Sequence, residues 1–152
     1  MSRLFKIAVY LITTFLSVFL FSGVALAKTQ DEMPMWDVRG TGSLEFVCVT
    51  PDTCPGGPFD HSINVTTENP DGTFSGTGYF IPDPATTWTV TGTLNSSAVA
   101  FHIVYTGTNP GYTIDGQGTI SIDGSFNGIA QSNTSQGFSW HSTKGKAKLI
   151  NP

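Results

Sequence analysis

The chain has 152 residues and a formal net charge of −4, with 12% of its residues charged and 12% aromatic. All eleven acidic residues lie beyond residue 27, against five basic ones, a surplus that repels phosphate backbones and argues against a nucleic-acid partner. Two cysteines and three histidines leave few groups for metal or nucleophilic chemistry.

The chain opens with Arg3 and Lys6, an apolar run from Ile7 to Phe21, and the small-x-small sequence Ala25-Leu26-Ala27. That layout predicts a secretory signal peptide over residues 1–27. An uncleaved anchor is the rival reading, since Ile7 to Ala27 nearly reaches spanning length. The Ala-x-Ala ending and the helix-poor sequence after it favour cleavage. The expected product is residues 28–152, one domain, secreted to the periplasm or cell exterior, with no membrane segment left.

Residues 28–34 read as a polar leader. From residue 43 to residue 149 the sequence runs through eight segments in which every second residue is apolar or glycine, separated by breaks rich in Gly, Pro, Asn and Asp. A period of two places alternate side chains on opposite faces of a strand, and short breaks favour antiparallel hairpins. Trp36-x-Val38-x-Gly40 is expected to open the first strand early, continuing through Leu44, Phe46 and Cys48. Cys48 and Cys54 are expected to form a disulfide across a Pro-rich loop, because an exported chain with two nearby cysteines favours that pairing. Ile63 and Val65 mark the second strand, and Glu68-Asn-Pro-Asp-Gly72 a turn.

The third strand sets Phe74, Gly76, Gly78 and Phe80 against polar neighbours and stops at Pro82-Asp-Pro84. The fourth alternates Trp88, Val90, Gly92 and Leu94 with four threonines, and the fifth carries Val99, Phe101, Ile103 and Tyr105. Ile114, Gly116, Gly118 and Ile120 mark the sixth. Phe126, Gly128 and Ala130 follow the Asp123-Gly124 turn, and Phe138 with Trp140 marks the last. Asp71-Gly-Thr-Phe-Ser-Gly76 and Asp123-Gly-Ser-Phe-Asn-Gly128 echo one another as a repeated hairpin device. Lys144, Lys146 and Lys148 read as a charged edge that resists aggregation, with an anion-binding tip as the alternative.

The fold class that follows is all-β: an eight-stranded antiparallel up-and-down β-barrel, with a two-sheet β-sandwich as the alternative. The glycines favour closure. Gly76, Gly78, Gly92, Gly116, Gly118 and Gly128 keep the parity of the apolar residues, so each either bends its strand or makes room for a neighbouring ring.

Over residues 71 to about 143 the chain resembles the avidin and streptavidin family. Asp71-Gly-Thr-Phe-Ser-Gly-Thr77, Trp88-Thr-Val-Thr-Gly-Thr93, Phe101-His-Ile-Val-Tyr105 and the Trp140 strand carry the resemblance. It implies an eight-stranded barrel holding a ligand at one mouth, biotin in the family, often in a tetramer. The chain departs from the family at its pocket. Gly42-Ser-Leu44 stands where a tryptophan is wanted, Asp115 and Ala130 fall near two further tryptophan places, and the C-terminal segment lacks the acidic residue that contacts biotin.

Candidate chemistry is sparse. His61, His102 and His141 fall on different strands without metal-ligand spacing and read as isolated surface histidines. Asp52, Asp71, Asp83 and Asp123 sit in turns, where Asp caps its own backbone. Glu45 and Asp115 lie on strands, on the polar face. No nucleophile elbow, redox motif or phosphate loop occurs, so no catalytic residue, metal or cofactor is expected. Binding is the better class: Trp88, Phe101, Tyr105 and Trp140 are the candidate lining of a pocket for a small apolar or amphipathic ligand, with Tyr105 as its polar handle. The same rings would also make an ordinary core. The alternative function is an interaction module contacting protein or glycan through its threonine-rich exterior, with Tyr79 and Ile81 as an exposed patch.

Overall fold

The computed structural model describes residues 35–50, 54 and 56–150; the signal peptide expected over residues 1–27 and the interior of the loop at 51–53 lie outside them. Eight strands follow one another around a closed antiparallel barrel. They are β2 (Gly40–Cys48), β3 (Phe59–Glu68), β4 (Thr73–Phe80), β5 (Asp83–Asn95), β6 (Ala98–Tyr105), β7 (Thr113–Ile120), β8 (Phe126–Ser132) and β9 (Gly137–Lys144). Each pairs with the next, and β9 closes the ring on β2 through Phe46↔Trp140 and Cys48↔Phe138. Closure leaves no open edge among these eight, and it settles the choice against a sandwich.

Two further strands correct the expected course of the chain. Trp36 does not extend the first barrel strand: it belongs to β1 (Met35–Asp37), which pairs with β10 (Lys148–Ile150) as a separate ribbon. Three residues are too few for a period of two to declare itself, so neither strand stands out in sequence. Trp36 packs on Ile120 and Ala147, and this small cluster caps one pole of the barrel. Lys148 therefore lies in β10, and Lys144 ends β9.

The hairpin echo is real. Asp71 Oδ1 accepts the Thr73 N–H at 2.9 Å and its hydroxyl at 2.7 Å; Asp123 Oδ1 accepts the same pair from Ser125 at 3.1 and 2.6 Å. Gly72 and Gly124, both with φ of +81°, supply the left-handed residue that each turn requires.

Inside the barrel, rings lie on glycines. A Cβ at Gly78 would meet the Trp88 indole, one at Gly92 the Phe74 ring, one at Gly116 the Phe101 ring, and one at Gly118 the Trp140 indole. At Gly76 and Gly128 the obstacle is a carbonyl of the adjoining strand, from Asn64 and Gln117. Four of these glycines thus house rings, as expected, while Gly76 and Gly128 permit close backbone approach, a role the sequence did not suggest. The result is a dense waist containing Trp88, Val90 and Ile103, all essentially fully buried.

Candidate functional site

At the pole away from the ribbon the barrel strands begin or end at Cys48, Phe59, Phe80, Asp83, Tyr105, Thr113, Ser132 and Gly137. A disulfide between Cys48 and Cys54 leans over this mouth, with Cys54 buried. Beneath it opens a cavity of about 480 Å³ walled by Phe46, Phe59, Phe80 and Phe138, with Tyr105 and Tyr112 along one side. A volume of that order suits a small organic ligand.

The wall rings arise from strand parity. Phe46 lies two residues from the end of β2 and Phe138 one residue into β9, while Phe80 is the last residue of β4. They brace one another at steep angles, Phe59 to Phe138 at 84° and Phe46 to Phe138 at 87°, with centroids 6.3 and 6.1 Å apart.

At the cavity lies His61, and here the sequence reading needs correction. His61 is only 4% exposed and faces the interior of β3, in step with Ile63 and Val65. Its Nδ1 lies 3.0 Å from the Phe59 carbonyl, which can only accept, so Nδ1 carries the hydrogen. Nε2 is then an acceptor, and the Tyr105 hydroxyl donates to it across 2.6 Å. Burial pushes the His61 pKa down, against a smaller opposing pull from the Phe59 carbonyl and Asp60. Burial also pushes Tyr105 up, with Tyr112 adding to it. Both groups are neutral near pH 7, and each stabilises the other's hydrogen-bonding tautomer.

The remaining polar groups stand around the rim. Tyr112 donates its hydroxyl to Gln136 Oε1 at 2.7 Å. The Thr86 hydroxyl donates to Asp83 Oδ2 at 2.7 Å and also meets the Thr108 hydroxyl. The site can therefore hold an apolar or aromatic body against rings and offer it hydrogen-bonding groups at one side.

Against this frame, a redesigned beta barrel of known structure is similar to the chain, with 10% identity and a TM-score of 0.55 over 76% of this chain and 92% of that one. The likeness carries the fold alone. No family model and no curated protein matches the chain.

Of the four rings expected to line a pocket, Tyr105 lines this cavity. Phe101 and Trp140 border a smaller apolar void of about 80 Å³ towards the ribbon pole, together with Leu44, Val90 and Phe126. Trp88 borders neither and sits at the waist on Gly78, its indole 6.2 Å from the His61 ring. The residues that sequence reasoning missed are Phe59, His61, Tyr112 and Thr86. For His61 the signal was present: it shares the parity of Ile63 and Val65.

His102 and His141 do lie outside, as their parity predicted. Cross-strand register sets each beside a carboxylate, His102 Nδ1 at 2.7 Å from Asp115 and His141 Nε2 at 3.7 Å from Glu45. Each pair is solvated and stands alone, and no cluster of three metal-ligating side chains occurs among the described residues.

Proposed function

We propose that the protein is an exported, non-enzymatic barrel that binds a small apolar or amphipathic ligand at its disulfide-bearing mouth. The observation that carries this is the cavity of about 480 Å³ with aromatic walls and the buried Tyr105–His61 hydrogen bond beside it. Four phenylalanines supply the affinity surface, and Tyr105, Tyr112 and Gln136 supply orientation. The avidin-like phrases support the same reading, because that family also holds its ligand at one mouth. Its tryptophan ring is not reproduced here, so the ligand is read from the phenylalanine wall instead of from biotin. The leader-like residues 1–27 and the disulfide support export to an oxidising compartment.

Native mass spectrometry of protein purified from its source tests this. A retained non-covalent adduct, lost when Phe59 and Phe138 are both replaced by alanine, is the expected result. A bare mass together with no uptake of an apolar fluorescent probe would refute it.

A second reading rests on the outer wall. Val47, Ser139 and Ile129 form one cross-strand row, and Val47 and Ile129 are 38% and 60% exposed around the small Ser139. With Tyr79 and Ile81 also exposed, such aliphatic surface suits a protein partner. Sedimentation of Ile129→Asp beside the wild type discriminates: a mass that falls on substitution favours self-association through this row.

A further inference from the structure

Among the described residues the aromatic cup has no cation of its own. Among the described residues, every lysine and arginine lies at the ribbon pole: Arg39 just before β2, Lys144 at the end of β9, Lys146 after it, and Lys148 opening β10. The cup does have a carboxylate. Asp83 borders the cavity and stands opposite Phe80 in the β4–β5 register. Its oxygens accept from the Thr86 hydroxyl at 2.7 Å and the Ala85 N–H at 3.2 Å, which position the charge without neutralising it. His61 adds no opposing charge, since both its ring nitrogens are engaged as a neutral imidazole.

Aromatic faces are electron-rich and attract a cation placed over them. Phe59 meets Phe80 at 48° and Phe138 at 84°, so the three rings of the wall lie in different planes around the cavity they line. Several aromatic rings with one carboxylate and, among the described residues, no cation beside them are together the chemistry that holds an alkylated ammonium group.

We propose that the ligand of this mouth is a small organic cation, an alkyl- or methylammonium compound held between Phe59, Phe80 and Phe138 with Asp83 as its counter-charge. This rests on the mouth being a binding site, as proposed above, and names the class of ligand it takes. An anion such as a carboxylate is disfavoured there by Asp83.

Three probes of one skeleton test it by calorimetric titration of the disulfide-intact protein. They are choline, its uncharged isostere with a quaternary carbon in place of nitrogen, and the carboxylate of that carbon skeleton. The expected order has choline at least about tenfold tighter than the isostere, with the carboxylate weakest. Asp83→Asn, which retains an oxygen for Thr86, should weaken choline about tenfold and leave the isostere unchanged. Isostere affinity equal to that of choline, or choline affinity unchanged by Asp83→Asn, overturns the charge preference and leaves the mouth as a binding site. Binding of none of the three, with an apolar dye also refused, overturns both readings. The wild-type ranking decides the matter even where the variant does not fold.

Discussion

The Trp88 indole lies across Gly78, its register partner on β4, and fills the space that a side chain at Gly78 would need. This is the local unit from which the barrel waist is made: a large ring on one strand, a bare backbone on the next. The same unit recurs with Phe101 and Gly116.

Gly78→Ala forces the fully buried Trp88 out of position, and neither the indole nor the Ser62 carbonyl beside it has room to retreat. The loss expected from such overpacking is about 2–3 kcal/mol. Urea unfolding measures it as a lower midpoint at unchanged slope.

Tyr105→Phe keeps the ring but leaves His61 Nε2 buried with no donor, at a cost of about 1–3 kcal/mol. The pH dependence follows from the depressed His61 pKa. Between the folded pKa and the ordinary value near 6.5, the unfolded chain binds the proton and the folded chain does not. Stability from this group is therefore complete above about pH 6.5 and declines as pH falls through that value towards the folded pKa. Asp37, held at about 2 chiefly by its hydrogen bond from the Arg39 side chain, acts lower down, its contribution present above about pH 4 and lost below. Unfolding curves at about pH 7.5 and about pH 5 should diverge for the wild type more than for His61→Gln. Equal divergence would place the titration elsewhere.

Replacing both Cys48 and Cys54 by serine opens a loop of only six residues' separation, so the stability lost is modest, about 2 kcal/mol. The mouth should feel it more than the barrel does. Cys54 borders the cavity, and its N–H is tied to the Thr50 carbonyl at 3.2 Å. Reduced protein is expected to bind any mouth ligand more weakly while its far-ultraviolet dichroism stays unchanged.

Trp36→Ala removes the ring that holds the β1–β10 ribbon on Ile120 and Ala147. Because the barrel closes without the ribbon, the damage is local. Amide exchange should accelerate over residues 35–37 and 148–150 while Val90 and Ile103 keep their protection. Acceleration throughout would mean that ribbon and barrel unfold together.

The alternation of apolar and polar residues made the eight barrel strands legible, and the core-side glycines made closure legible. Cys48 with Cys54, and the two Asp-Gly turns, were likewise readable from composition and spacing. The aromatic mouth was read less well. Trp88, Phe101 and Trp140 are large and inward, yet each is matched to a cross-strand glycine and so fills the waist. Which ring meets a glycine depends on register, a property of strand pairs that a single strand does not display. His61 was misplaced for a different reason: a polar residue on an apolar parity needs a partner, and Tyr105 lies 44 residues away. Phe59 and Tyr112 sit at or beyond strand ends, where alternation has already lapsed.

Met35 and Ile150 face one another across the ribbon, so the polypeptide arrives and departs at a single pole. The aromatic cup opens at the opposite one. A surface tether, fusion partner or affinity tag joined next to residue 35 or residue 150 would consequently leave the aromatic cup turned outward, free to sample the surrounding fluid.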